Sequence, residues 1–247
     1  MKKAFAIMLC VAMMLCSSAA LAEEYAIATD TAFRPFEYTD DDGALVGIDV
    51  EILAAIAEDQ GFTYIIEPLG WDASIAACQA GQKDGMIAGA SITEERKAAG
   101  WIFSDGYFTA TQSMAVAQGT PIAGFEDLKG HSVAVKVGTL GESYANSLAE
   151  QYGFTVVPFG SSLAIYMAVT GGQCAACFDD TPVLEDYVRN GGIFLQLVDG
   201  TANEGTDYGF VVFSPEKQEL VDKFNAGLAN IKASGVYDQI LAKYLGE

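Results

Sequence analysis

What most constrains this chain is an alternation of short apolar runs with helix-period segments that recurs along most of its length. Residues 25–29 read as a strand running into Asp30, and 46–50 lead into a helix over 51–58 with apolar Ile52, Leu53, Ile56 and Ala57, stopped by Gly61. A strand at 62–67, a helix at 74–79 closed by Gly81, and a strand at Met86 follow. Strand, helix, strand, helix, strand predicts a parallel α/β lobe. After 114–117 and a loop at Gly119-Thr120-Pro121 the pattern repeats at 133–137, 143–151, 155–158, 163–170, 174–178 and 183–189. This predicts a second α/β lobe over 112–203. Residues 208–213 are apolar again, and 216–234 and 236–245 are helical, with Leu220, Phe224, Leu228 and Ile231 on one face. The fold class is α/β. Periodicity alone does not separate two lobes from one continuous doubly wound sheet.

Before the alternation, Lys2 and Lys3 precede an apolar run over 4–15 and then small residues ending in Ala20-Leu21-Ala22. This reads as a secretory signal peptide over 1–22, cleaved after Ala22, with a periplasmic or secreted product. A lipoprotein signal at Cys10 or Cys16 is disfavoured by the Leu before each, and a retained anchor by the short apolar run. Lys2 and Lys3 depart with the leader, so the net charge of −20 becomes −22. That acidity disfavours nucleic acid and anionic membranes as partners. Of the five cysteines, Cys78, Cys174 and Cys177 remain, an odd number that argues against a disulfide framework. Cys174-Ala175-Ala176-Cys177 matches CxxC, but Gly171-Gly172 precedes it and Phe178-Asp179-Asp180 follows. The pair therefore reads as part of a buried strand, not a redox helix start, and no metal site or cofactor is expected.

The stretch with the most chemistry is Gly89-Ala90-Ser91-Ile92-Thr93-Glu94-Glu95-Arg96. It reads as strand, loop, helix start, with Thr93 as N-cap and acids in the first turn. Unpaired N–H groups at that entry, with the guanidinium of Arg96 at the third helical position, make a receptor for a small carboxylate. An ordinary capped helix with a solvated arginine is the alternative. In open α/β sheets ligands sit beyond the carboxyl ends of strands, and Asp30, Gly89, Ser91, residues 136–141 and Asp180 all fall there. Asp30 and Asp180 also read as simple caps, of 31–33 and of a helix opening at Pro182.

Ser91 to Arg96, Phe103-Ser104-Asp105-Gly106-Tyr107, residues 28–37, Val46-Gly47-Ile48-Asp49-Val50, Val133-Ala134-Val135-Lys136 and Asp179-Asp180-Thr181-Pro182 follow one another in an order and spacing that resembles the polar amino-acid-binding proteins of ABC importers. The resemblance covers nearly the whole chain after residue 22, and is strongest to the glutamine-binding members through residues 28–33 and Lys136. It implies a type II periplasmic-binding-protein-like fold: lobe 1 over 23–111 and 204–247, lobe 2 over 112–203, joined by two crossing segments near 109–113 and 203–207.

By resemblance, Arg96 would hold a ligand α-carboxylate with N–H groups of Ser91 and of the turn from Thr139 to Gly141. Asp180, with the carbonyl of Gly89, would hold the α-ammonium. Phe33 and Trp71 would form aromatic walls, and Asp30 with Lys136 would read an amide side chain, making glutamine the leading ligand. At Asp179 the glutamine binders would carry a histidine. An acid there that neutralised Lys136 would open the cleft to arginine, lysine or histidine. The implied partners are a free L-amino acid and a membrane ABC permease, with the protein itself a monomer and not an enzyme. A periplasmic dehydratase of cyclic acids on the same fold is the alternative of another class, with Glu142 its candidate acid or base. Soluble input to a chemotaxis receptor is a third reading, and His131 is given no role.

Overall fold

The computed structural model describes residues 24–190 and 192–246. The leader read over 1–22, with Cys10 and Cys16, lies outside the described residues. β1 (Glu24–Thr29) is followed by a small antiparallel sheet of β2 (Ala32–Phe33), β3 (Glu37–Thr39) and β4 (Leu45–Val46), then α1 (Ile48–Gln60), β5 (Thr63–Pro68), α2 (Trp71–Gln79) and β6 (Gly85–Met86). A short α3 (Glu94–Ala98), β7 (Ile102–Phe103) and β8 (Phe108–Ala110) complete this part. Next come β9 (Gln112–Ala117), β10 (Ser132–Lys136), α4 (Leu140–Tyr152), β11 (Thr155–Phe159), α5 (Ser162–Thr170), β12 (Ala176–Asp180), α6 (Thr181–Asn190) and β13 (Leu195–Leu197). The chain ends with β14 (Thr206–Tyr208), β15 (Val211–Val212), α7 (Gln218–Ser234) and α8 (Val236–Leu245).

Two five-stranded sheets result, ordered β5-β1-β6-β15-β7 and β11-β10-β12-β9-β13. In the first, β1 pairs in parallel with β5 and β6, while β15 returns antiparallel to β6 and β7. In the second, β10 is parallel to β11 and β12, and β9 runs antiparallel between β12 and β13. The chain passes between them twice, along β8 and β14, which pair with Ala110 opposite Thr206 and Phe108 opposite Tyr208. The architecture is a two-lobe α/β fold of type II.

Helical amphipathicity decides how the first sheet is covered. Ile48, Ile52, Leu53, Ile56 and Ala57 of α1 are buried, and Gly61, at φ 69°, ends the helix. α7 then packs on α1, burying Leu220, Phe224, Leu228 and Ile231. A Cβ at Gly227 would sit 2.8 Å from Ile56 Cγ2, so glycine allows that approach.

Three differences from the sequence reading have physical causes. The expected strand over 208–213 is two, β14 and β15, in different sheets, because the chain crosses between lobes there. The strand read at 174–178 lies at Ala176–Asp180, which carries both acids to the carboxyl end of the central strand of the second sheet. Residues 32–46, whose strands are two or three residues long, were too short to give a period and went unread. Cys78, Cys174 and Cys177 are buried free thiols, and burial pushes Cys177 well above the ordinary thiol value, which keeps it un-nucleophilic.

Candidate functional site

The carboxyl ends of both sheets face one another across a narrow cleft that encloses a cavity of only about 10 Å³, lined by Phe33, Trp71, Gly89, Arg96, Lys136 and Asp180, together with Ala88, Ser91, Thr139 and Leu140. From the first sheet, Gly89 follows β6 with φ +57°, donates its N–H to Asp49 Oδ2 at 2.9 Å, and packs against Phe33 so closely that a Cβ would lie 2.5 Å from the ring. Glycine is required there by both conformation and space. Phe33 is held from behind by Phe36, itself edge-on to Phe108 at 4.9 Å and to Tyr208 at 5.1 Å. Trp71 opens α2, and its indole Nε1–H is buried with no hydrogen-bond partner among the described residues.

Arg96 stands where the loop reading placed it. Thr93 caps α3 by accepting the Arg96 N–H at 3.1 Å, and the guanidinium donates to Ser91 O at 2.8 Å and across the cleft to Gly138 O at 3.1 Å. Trp71 and Trp101 flank it, with ring centroids 5.1 and 4.9 Å from Cζ. Burial lowers its pKa to about 10, against the opposing pull of Asp180 and Glu95, so it stays cationic at neutral pH.

From the second sheet, Thr139 caps α4 by accepting the Glu142 N–H at 3.3 Å and donates to Lys136 O at 2.7 Å. The N–H groups of Leu140 and Gly141, in the first turn of that helix, have no intrahelical acceptor. Lys136 is 3% exposed; its ammonium pairs with Asp30 and lies 4.9 Å from the Phe33 ring centroid and 5.7 Å from that of Trp71. Burial alone would push its pKa down, but Asp30, Asp179 and Glu37 together hold it above the ordinary lysine value. Asp180 ends β12, accepts from Gln112 Nε2, and is raised to about 7 by burial and then by the charge of Asp179.

Of the eleven residues singled out from sequence, the structure brings eight to the cavity wall: Phe33, Trp71, Gly89, Ser91, Arg96, Lys136, Thr139 and Asp180. Asp30 reaches it through Lys136. Gly141 lies in the α4 first turn against Phe178 O. Asp179 is not at the wall. Successive strand residues point to opposite faces, so with Asp180 toward the cavity Asp179 turns back to accept from Tyr166 Oη at 2.6 Å. Lys136 gives its ammonium to Asp30, not to Asp179. Ala88, Leu140 and Trp101 went unread in the sequence, the first two as ordinary apolar positions. Glu142, the candidate enzymatic acid, accepts the Gly138 N–H at 2.7 Å and is committed to its own turn. A larger surface hollow, lined by Ala117, His131 and Cys174 among others, opens at the far end of the second sheet and contains no Asp, Glu, Lys or Arg.

The description "Bacterial extracellular solute-binding proteins, family 3" matches residues 25–247. The chain belongs to this family. Similar members include a probable histidine-binding protein of Neisseria gonorrhoeae, 30% identical over 90% of this chain and 83% of that protein. The solved arginine-, lysine-, histidine-binding protein ArtJ of Geobacillus stearothermophilus superposes with a TM-score of 0.82 at 33% identity, covering 91% of this chain and 96% of its own. An ancestral arginine-binding protein bound to glutamine gives a TM-score of 0.83 at 34% identity, over 92% and 100% of the two chains. This solute-binding protein thus has its charged groups gathered in the cleft between its two lobes.

Proposed function

We propose that this solute-binding protein captures a free L-α-amino acid, glutamine first, in the cavity between its lobes and delivers it outside the cytoplasm to an ABC permease. The proposed lobes are 23–111 with 204–247, and 112–203. The observation that carries the reading is the placement of a half-buried guanidinium, Arg96, and a buried carboxylate, Asp180, on one small cavity with aromatic walls. A zwitterion leaving water needs a fixed partner for each charge. Arg96 with the free N–H groups of Leu140 and Gly141 suits the α-carboxylate, and Asp180 suits the α-ammonium. The unpartnered Trp71 Nε1–H is a further donor for a ligand oxygen. Asp30 and Lys136 together offer an acceptor and a donor at the tip, the complement of a primary amide.

The basic amino acids are the second reading, favoured by one observation. Val135 lies opposite Phe178, which puts Asp179 next along the strand beside Lys136, and from behind the cavity wall its negative charge adds to that of Asp30 at the lysine. The relatives named for arginine, lysine and histidine fit that excess of negative charge. The test is a thermal-shift panel of all common amino acids on protein first unfolded and refolded to strip carried ligand. At a thousandfold excess over Kd the expected stabilisation is about 4 kcal/mol, or roughly 8–16 °C for a chain of this size. A dominant shift with glutamine supports the first reading, dominant shifts with arginine, lysine or histidine the second, and no shift with any amino acid refutes both.

Two further outcomes are expected. Asp180 must be ionised to hold an ammonium, and its pKa is raised to about 7 before binding. Affinity should therefore be full above that value and fall as pH drops through it, by up to about tenfold per unit. Calorimetry at slightly acidic pH in buffers of different ionisation enthalpy should show proton release on binding; pH-independent affinity would exclude the role of Asp180. Arg34, between β2 and β3, pairs with Asp186 of α6 at 2.9 Å, and Tyr187 Oη donates to Ala32 O at 3.4 Å. These contacts hold the lobes together without touching the cavity. Arg34→Ala should weaken binding of every ligand by about 2–10-fold and leave the ranking unchanged, as read by titration calorimetry.

A further inference from the structure

Behind Gly89 lie two carboxyl groups with no solvent exposure, Glu37 of β3 and Asp49 in the first turn of α1. Asp49 Oδ2 accepts the Gly89 N–H at 2.9 Å and the Tyr107 hydroxyl at 2.7 Å. Among the described residues, its other oxygen, Oδ1, and both oxygens of Glu37 have no donor, although the two carboxyls lie within hydrogen-bonding reach of each other. Three orphaned carboxyl oxygens in one dry pocket are a large penalty if both groups are ionised. A single proton relieves most of it: a neutral Glu37 donates to Asp49 Oδ1, Asp49 remains a carboxylate with a donor on each oxygen, and only the uncharged carbonyl oxygen of Glu37 stays unpaired. The ionisable groups facing the pair are Asp30, Lys136 and Tyr107. Burial and then Asp49 push Glu37 well above the ordinary carboxyl value, while Asp49 rises through burial only to about 6, which makes Asp49 the stronger acid of the two.

We propose that Glu37 and Asp49 share one proton, and that the carboxylate so fixed positions Gly89 so that its carbonyl meets the ligand's ammonium. The positioning role rests on the binding reading given above; the shared proton does not. Gly89 lines the cavity, its N–H is tied to Asp49, and its carbonyl receives no hydrogen bond among the described residues. Asp49 is thus a positioning residue one layer behind the ligand, and Glu37 is the neutral donor that keeps it oriented.

The experiment is infrared spectroscopy of the refolded full chain at neutral pH without amino acid, paired with calorimetric titration of L-glutamine and L-arginine. Wild type should show the C=O band of a buried carboxylic acid, which persists in Asp180→Asn and disappears in Glu37→Gln. Glu37→Gln keeps a neutral donor of the same shape, so affinity for whichever probe binds wild type should stay within about threefold. Asp49→Ala should lose at least about tenfold. Asp49→Asn, which restores an acceptor for Gly89 and a donor toward Glu37, should recover part of that loss while ionising Glu37 and erasing the band. A band absent from wild type, a band unchanged in Glu37→Gln, or wild-type affinity in Asp49→Ala would overturn the proposal. Should Asp49→Ala fail to fold, the comparison of wild type with Glu37→Gln still decides it. A wild type that binds neither probe refutes the binding reading and leaves the carboxyl pair to be judged on the band.

Discussion

Arg96→Ala is expected to weaken amino-acid binding by about two to three orders of magnitude while leaving the ligand-free protein folded. The size follows from what remains behind. A ligand carboxylate that enters the closed cleft without the guanidinium keeps only the Leu140 and Gly141 N–H groups and the Trp71 indole, and has lost its water. The guanidinium is also aligned before binding, fixed by Ser91 O and Gly138 O and set over the neighbouring rings of Trp71 and Trp101, so little ordering is left to do when the ligand arrives. Arg96→Lys should rescue less than tenfold, because an ammonium cannot reach two carbonyls and a carboxylate in one plane. Folding should survive because α3 is capped through the backbone N–H of residue 96, which alanine retains. Circular dichroism would establish the fold and calorimetry the affinity; binding within threefold of wild type would refute the assignment.

The parts of this site that were legible in the sequence are those whose chemistry is local. Thr93 as cap and Arg96 at the third helical position follow from eight consecutive residues, and the structure has them as read. Asp30, Gly89, Lys136 and Asp180 are legible as candidates because strand ends in an α/β sheet collect ligands, a rule that needs only the strand positions, and the last three line one cavity. What stayed illegible depends on facing. Asp179 and Asp180 are chemically identical neighbours, and only the pleat decides that one faces the cavity and the other Tyr166. Glu37 and Asp49 are separated by a hairpin and carry no sequence reading beyond the resemblance of the stretches that contain them, since nothing local shows that both are at zero exposure. Trp101 was unremarkable until Arg96 was seen stacked on it. The division into two sheets was likewise open to periodicity, and is settled by the pairing of β15 back onto β6 and β7 after the chain has built the second sheet.

The same facing argument yields the largest expected change in selectivity. Lys136 occupies what is itself a cation site: its ammonium pairs with Asp30, lies against the faces of Phe33 and Trp71, and has Asp179 on the adjacent strand. In Lys136→Met the apolar stem is kept and the charge removed, which leaves the carboxylate and both aromatic faces available to a cation carried by the ligand. Arginine or lysine would then supply the missing charge, whereas glutamine would lose the donor to its amide oxygen and meet an uncompensated buried acid. The affinity ratio of arginine to glutamine should therefore rise by about 10²–10³-fold, combining a gain for one ligand with a loss for the other. The variant should be less stable without ligand, because Asp30 loses its partner, and arginine should restore stability more than it does in wild type. Competitive titration of both amino acids against wild type and Lys136→Met measures the ratio directly. An unchanged ranking would mean that the ligand side chain does not reach the Asp30–Lys136 pair, and the specificity argument would have to move to Asp179 and the strand beside it.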